Sequence, residues 1–251
     1  HRKVKIRLNR SVFVDKEDNQ LAQLVRLIEY LEVLPVTVVI LDGAEADDVI
    51  AYFAKQFRDA LESQVYIMSS DKDFMQLVDQ RTHIWSPTKK KMYFAPDVFE
   101  EYKIAAVNFA LFRALTGDSS DNIPGVKGLG VKSLLERFPK MGEQQYISLD
   151  QFFEYATKLQ ADNPKVKIYS KVLEQEQAVR TYHQITQLSE SMISGTNRLK
   201  IVETLNAPVN TLTKVKFHTM LIQDGMTSAI RNTELWLRET TTKLDKFALQ
   251  S

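Results

Sequence analysis

VYIMSSDKDFMQL, residues 65–77, runs four apolar residues into Ser69-Ser70 and then places two carboxylates, Asp71 and Asp73, one residue apart. The apolar run reads as a buried strand. Carboxylates set this close repel each other and lose hydration at the edge of a core, so something beside them is expected to compensate.

Working outward, residues 19–34 carry Leu21, Leu24, Val25, Ile28 and Leu31 at helical spacing. After Pro35, VTVVIL (36–41) is β-branched and continuously apolar, which predicts a strand covered on both faces. EADDVIAYFAKQF (45–57) begins with acids and continues with Val49, Ile50, Phe53, Ala54 and Phe57, the pattern of a helix whose acids sit at its positive end. Strand, helix and strand in this order predict a right-handed parallel crossover, whose functional residues collect outside the carboxyl ends of the strands. Glu45, Asp47, Asp71 and Asp73 all fall there. From residue 104 the strand signals fade. VNFALFRALTG (107–117), VKSLLERF (131–138), 168–190 and 211–247 read as helices. The expected fold class is therefore α/β with a parallel-sheet core over 1–103 and a helical part over 104–251. Between the first two helices of the second part lies GDSSDNIPGVKGLG (117–130), rich in Gly and Asp.

A chain of 251 residues with an ordinary apolar fraction can bury a sizeable core. No run reaches the roughly 20 apolar residues of a spanning helix, and HRKVKIRLNR at the start lacks the apolar stretch of a signal peptide. With no cysteine and four scattered histidines, a disulfide framework and a thiolate zinc site are excluded, and a reducing, cytoplasmic setting is expected. Net charge is only +1, so partner arguments rest on local charge. Residues 1–10 hold Arg2, Lys3, Lys5, Arg7 and Arg10 without an acid, and Lys89-Lys90-Lys91 form a second basic cluster. The chain opens in this basic segment without Met, and an upstream portion is expected. Phe109, Phe112 and Phe138 sit among leucines at helical spacing and read as core. Met220 and Trp236 in the tail fit either core packing or a docking surface.

Each acidic motif alone has a plain explanation: EADD as the first turn of a helix, DKD as a polar loop exit. Together with a third pair, Asp118 and Asp121, they form a set of oxygen donors without His or Cys. Such a set suits Mg²⁺ or Mn²⁺ rather than zinc. Two such ions about 3.5–4 Å apart activate a water and stabilise the leaving oxygen in phosphodiester hydrolysis.

The ordered set EADD, SSDKDF and GDSSDNIPGVKGLGVKSLLERF resembles the structure-specific 5′-nuclease (flap endonuclease) family, in its bacterial and bacteriophage form. WSPTKKK (85–91) and the long helical tail are similar to the phage ribonuclease H branch of that family. The resemblance implies a nuclease core of PIN type, a helix–three-turn–helix element over about 106–138, and cleavage of flap or branched DNA and of 5′ ends of DNA or RNA–DNA duplexes in replication. It implies a first metal on Glu45 and Asp47 with Asp71, and a second on Asp73, Asp118 and Asp121. Asp48 is set aside as a first-turn residue. Two further family aspartates have no counterpart here. GVKGLG would grip a duplex without reading sequence: Gly125, Val126, Gly128 and Gly130 would offer backbone to phosphate or to a bridging K⁺, with Lys127 and Lys132 beside them. Residues 1–18 would be the foot of an arch, where Arg7 and Arg10 steer the scissile phosphate, arginine standing at residue 7 where the family has lysine. The expected partners are branched DNA and, for the tail, a replication clamp or single-strand binding protein, with the nuclease itself a monomer and no membrane involved.

Two other readings compete. One is a catalytically weak DNA-junction binding module that keeps the grip but not a complete first metal site. The other is an aspartyl-nucleophile phosphatase, which also places D-x-D after a strand. That chemistry wants Thr or Val shortly after the second Asp, where this chain has Phe74-Met75, and it leaves GVKGLG unexplained.

Overall fold

The computed structural model describes residues 16–61, 63–189 and 193–248. Along the chain run α1 (Lys16–Glu32), α2 (Ala46–Leu61), β1 (Val65–Met68), β2 (Thr82–Ser86), β3 (Lys91–Tyr93), α3 (Ala95–Tyr102), α4 (Phe109–Thr116), α5 (Val131–Arg137) and α6 (Leu149–Asp162). Then follow α7 (Lys167–Glu174), α8 (Glu176–Thr186), α9 (Gly195–Asn206), α10 (Lys214–Gln223), α11 (Thr233–Trp236), a π-helical turn Leu237–Thr241, and α12 (Thr242–Ala248). None of these helices is long and apolar enough to cross a membrane. Contacts divide the chain into two compact units, residues 43–194 and residues 1–42 with 195–251.

In the larger unit the sheet has order β1-β2-β3. VYIM forms the expected strand and pairs in parallel with β2, Ile67 opposite Ile84, while β2 turns back on β3 as an antiparallel hairpin. The connection from β1 to β2 runs through a 3₁₀ turn, Asp73–Leu77. Lys89–Lys91 do mark the hairpin, but Lys89 and Lys91 are not free cations: both reach Glu101, at 2.6 and 3.2 Å, and Lys89 also donates to Tyr93 at 2.9 Å.

The strand predicted over 36–41 is not formed. Those residues join no ladder, and Ile40 is 65% exposed. Strand propensity expresses how well a side chain fits a paired, half-buried surface, so a β-branched run without a pairing partner does not become a strand on composition alone. The crossover predicted from 36–41 through α2 to β1 is accordingly absent from the sheet.

One apolar core runs through the larger unit from the sheet to α8. It joins Ile67, Ile84 and Tyr93 to Phe109, Leu115, Leu134, Phe138, Phe152 and Val179. The contact boundary therefore does not fall at 103/104, where the change of periodicity suggested it: the early helices of the second half complete the hydrophobic face of the sheet. Phe109, Phe112 and Phe138 are buried. The helix α6 is entered by a reciprocal cap, Ser148 Oγ accepting from the Gln151 amide at 3.2 Å and Gln151 Oε1 from the Ser148 amide at 2.9 Å. Buried Asn108 ties the preceding loop down, donating to the Gln145 carbonyl at 2.7 Å and accepting from the Ile147 amide at 2.9 Å.

The smaller unit has its own core of Tyr30, Val33, Phe217, Met220, Leu221 and Leu237. Trp236 stacks on Phe217 at 5.7 Å, so both Met220 and Trp236 serve packing. Asp224 fastens α1 to the end of α10, accepting from Arg26 Nε and the Tyr30 hydroxyl, each at 2.8 Å.

Candidate functional site

β1 ends at Met68, and side chains then fold the backbone back on itself. Ser69 Oγ accepts from the Asp71 amide at 3.1 Å, and Asp71 Oδ1 accepts from the Asp73 amide at 2.9 Å. Buried Phe74 and Met75 anchor the 3₁₀ turn that follows. Gln76 clamps it: Nε2 donates to the carbonyls of Asp73 (2.8 Å) and Thr186 (3.0 Å), and Oε1 accepts from the Leu188 amide at 2.9 Å.

The second contribution comes from the end of α4. Gly117 takes φ +86°, Asp118 and Ile123 exchange backbone hydrogen bonds at 2.7 Å, and Val126 donates to the Leu115 carbonyl at 2.8 Å. This tight loop returns Asp118 and Asp121 toward Asp73. Carboxylate oxygens of Asp73, Asp118 and Asp121 lie within 4.8 Å of one another. Asp118 Oδ1 accepts from the Ser120 amide at 2.9 Å and from Ser120 Oγ at 2.5 Å.

Arg113, a residue the sequence reading passed over as part of a helix, enters this cluster. Its Nε donates to Asp73 Oδ1 at 3.2 Å, and its Nη2 pairs with Asp118 Oδ2. The signal was present in FALFRALT, where one cation stands in a helix whose other positions through Leu115 are all buried and apolar. Burial pushes the Asp73 carboxyl above its usual range; Arg113 opposes the shift, while Asp71 and Asp121 add to it.

A second acidic group forms at the start of α2, where oxygens of Glu45, Asp47 and Asp48 lie within 4.8 Å of one another. Asp47 Oδ1 accepts from the Asp48 amide at 3.0 Å. Burial first, then Asp47 and Glu45, raise the Asp48 carboxyl, with a backbone hydrogen bond at Ser189 opposing. The structure thus puts Asp48, which the sequence reading set aside, with Glu45 and Asp47. Asp71 is exposed and belongs to neither of these compact trios, though it is near enough to raise Asp73.

Both trios offer oxygen only, from crowded carboxylates, and in each one carboxyl is raised by burial and by its acidic neighbours. A hard divalent cation fits that donor set, and Asp73, Asp118 and Asp121 would hold it at one group and Glu45, Asp47 and Asp48 at the other.

GVKGLG forms the loop entering α5. Val126 and Leu129 are buried, while Lys127, Gly128, Gly130 and Lys132 face solvent. Nothing lies within 4 Å of where a Cβ would stand on Gly128 or Gly130, so the backbone there is open to an approaching group; Gly125, by contrast, is packed against Gly117. The carbonyls of Val126, Gly128 and Gly130 each accept one hydrogen bond, from the Leu129 amide, Ser133 Oγ and the Leu134 amide. Arg7 and Arg10 lie outside the described residues.

Residues 7–103 match the sequence profile of the 5′-3′ exonuclease N-terminal resolvase-like domain. The chain is 39% identical over 118 residues to a DNA polymerase I of Rhizobium leguminosarum, covering 47% of this chain and 11% of that protein. It is 37% identical over 112 residues to a 5′-3′ exonuclease of Mycoplasmopsis pulmonis, covering 43% of this chain and 37% of that one. The chain therefore spans well under half of the length of either relative. Among solved structures it resembles a bacteriophage T5 flap endonuclease in a pseudo-enzyme–product complex with DNA and metal ions, with TM-score 0.59 and 19% identity over 76% of this chain and 71% of that one. The fold is thus the flap-endonuclease-like resolvase fold, a small sheet with helical layers.

Proposed function

Because residues 7–103 carry the N-terminal resolvase-like domain of 5′-3′ exonucleases, we propose that this protein is a divalent-metal-dependent, structure-specific 5′ nuclease. It hydrolyses phosphodiesters of flap or branched DNA and of the 5′ ends of DNA or RNA–DNA duplexes. The observation that carries this reading is the convergence of Asp73, Asp118 and Asp121 within 4.8 Å from a strand end and a helix end. Bound Mg²⁺ or Mn²⁺ supplies an activated water and charge stabilisation for the leaving oxygen.

The chain's own residues do the rest. Asp73 has its main chain held by the Ser69–Asp71 turn and by Gln76, and its carboxylate is engaged by Arg113 Nε. Asp118 is oriented by Ser120. The open backbone at Gly128 and Gly130, with Lys127 and Lys132, takes duplex phosphates, and the carbonyls of this loop are where a K⁺ would bridge to the strand. These contacts carry no base readout, so recognition follows shape rather than sequence.

The test is cleavage of a 5′-flap substrate by the complete protein, with Mg²⁺, Mn²⁺ and Ca²⁺ added back singly after EDTA. Asp73→Asn is expected to abolish cleavage and leave flap binding within about threefold, since phosphate grip resides elsewhere. Cleavage that persists in EDTA overturns the reading. Flap binding without cleavage by the wild-type protein under every metal leaves the DNA-junction binding module as the function.

A further inference from the structure

The Asp73–Asp118–Asp121 cluster already contains a cation of the protein's own. Asp118 is buried, and its two oxygens are differently engaged: Oδ1 accepts twice from Ser120, whereas Oδ2 faces Arg113 Nη2. An ion that takes Asp118 through Oδ2 must therefore approach the oxygen against which Arg113 Nη2 stands. The other end of the guanidinium is bound differently, for Nε donates to Asp73 Oδ1 at 3.2 Å. The arginine is a short reach from solvent, its side chain 14% exposed, on a helix otherwise apolar and buried through Leu115. Its charge is permanent, and its fork of donors can release one carboxylate while keeping another.

We propose that Arg113 is the resident counter-ion of this cluster: it neutralises Asp118 while no metal is bound, surrenders Asp118 Oδ2 to the incoming divalent cation, and remains on Asp73. It is a positioning residue that keeps the carboxylates of the empty cluster together and sets how tightly the ion is held. The inference rests on the nuclease reading, because it takes the same trio as the ion's ligands. A guanidinium beside the site opposes a second positive charge, so metal affinity is weaker than three carboxylates alone would give. An ordinary structural ion pair makes the opposite prediction: its loss loosens the ligands and weakens the metal.

Mn²⁺ binding to the complete protein, followed by calorimetry without DNA, separates the two. Arg113→Met is expected to bind Mn²⁺ about three- to tenfold more tightly than wild type, and Arg113→Lys, which keeps the charge, to return to within about twofold of it. In EDTA, Arg113→Met should melt below wild type, and Mn²⁺ should raise its Tm by more than it raises that of wild type. Unchanged or weakened Mn²⁺ binding by folded Arg113→Met overturns the inference. Should that variant not fold, the wild-type protein with ¹⁵N-labelled arginine decides. The Arg113 side-chain resonances, assigned with Arg113→Lys, must shift as Mg²⁺ saturates the site, and their constancy at saturation overturns the proposal. Wild-type protein that binds no divalent ion sinks both the nuclease reading and this one, whereas metal binding indifferent to Arg113 sinks this one alone.

Discussion

Gly117 and Gly125 lie backbone against backbone: a Cβ on Gly125 would overlap the Gly117 main chain, and one on Gly117 would stand 2.8 Å from the carbonyl oxygens of Ile123 and Pro124. Both also take positive φ, +86° and +62°. Gly125→Ala should therefore combine overpacking with a strained backbone and cost about 3 kcal/mol. Gly130, at φ −80° with open space around it, is the control. Gly130→Ala should stay within about 1 kcal/mol of wild type. Urea denaturation of the two variants measures both, and equal losses would contradict the packing argument.

Glu101 gives a pH dependence. Burial alone would raise its carboxyl, but hydrogen bonds from Lys89, Tyr93 and Lys91 override this and hold it down to about 2, below the 4.5 of the free side chain. A depressed carboxyl stabilises the fold above its unfolded value, and the contribution is lost as pH falls from 4.5 toward 2. Glu101→Gln should melt below wild type at neutral pH and converge with it near the acid end of that window. Parallel Tm profiles of the two proteins would show that the cluster is not linked to folding.

Phe138 is fully buried, with rings of Phe152, Tyr155 and Tyr169 at 5.1, 6.4 and 5.4 Å. Truncating it leaves a cavity at the joint of α5, α6 and α7, and Phe138→Ala should cost about 3–5 kcal/mol. Tyr146, 62% exposed, should lose less than about 1 kcal/mol on the same truncation. Chemical denaturation distinguishes them, and a small loss at Phe138 would mean that the core there is loosely packed.

Lys132 is 91% exposed in its side chain and meets Glu136 only at 3.9 Å, so its charge is available to a phosphate. Affinity for a flap substrate should fall linearly in log–log with salt, and Lys132→Ala should lessen the slope by about one. Titration in Ca²⁺ buffer checks this. An unchanged slope would remove Lys132 from the interface, and order-of-magnitude preferences among scrambled sequences of one architecture would reject shape recognition.

The acids of the site were legible because two of their three sources are local patterns, a strand running into D-x-D and a helix opening on E-x-D-D. Glycine chemistry made the loop after α4 legible in the same way. Arg113 was not, because a single cation has no period, and of its two partners Asp73 is 40 residues away while Asp118 lies beyond the helix end. The grouping of Asp48 with Glu45 and Asp47 was hidden for a related reason: in sequence a first-turn acid looks the same whether it caps the helix or joins its neighbours. VTVVIL misled in the other direction, since propensity describes what a segment accepts and not whether a partner strand is present. β2, the sequence THIWS, carries polar residues at buried positions and so escaped an apolar pattern. The cap Ser148-x-x-Gln151 was in plain view and would have marked α6.

The clamp made by Gln76 gives this fold an internal reporter. Its side chain joins the Asp73 carbonyl to the Leu188 amide, residues more than a hundred positions apart in sequence. The Leu188 proton can exchange with water when Gln76 lets go, and loosening of the turn bearing Asp73 frees Gln76. Deuterium uptake at Leu188 is therefore a clock for the rigidity of the acidic turn, readable without substrate: it should slow when an ion cross-links Asp73 to Asp118 and quicken in Gln76→Ala.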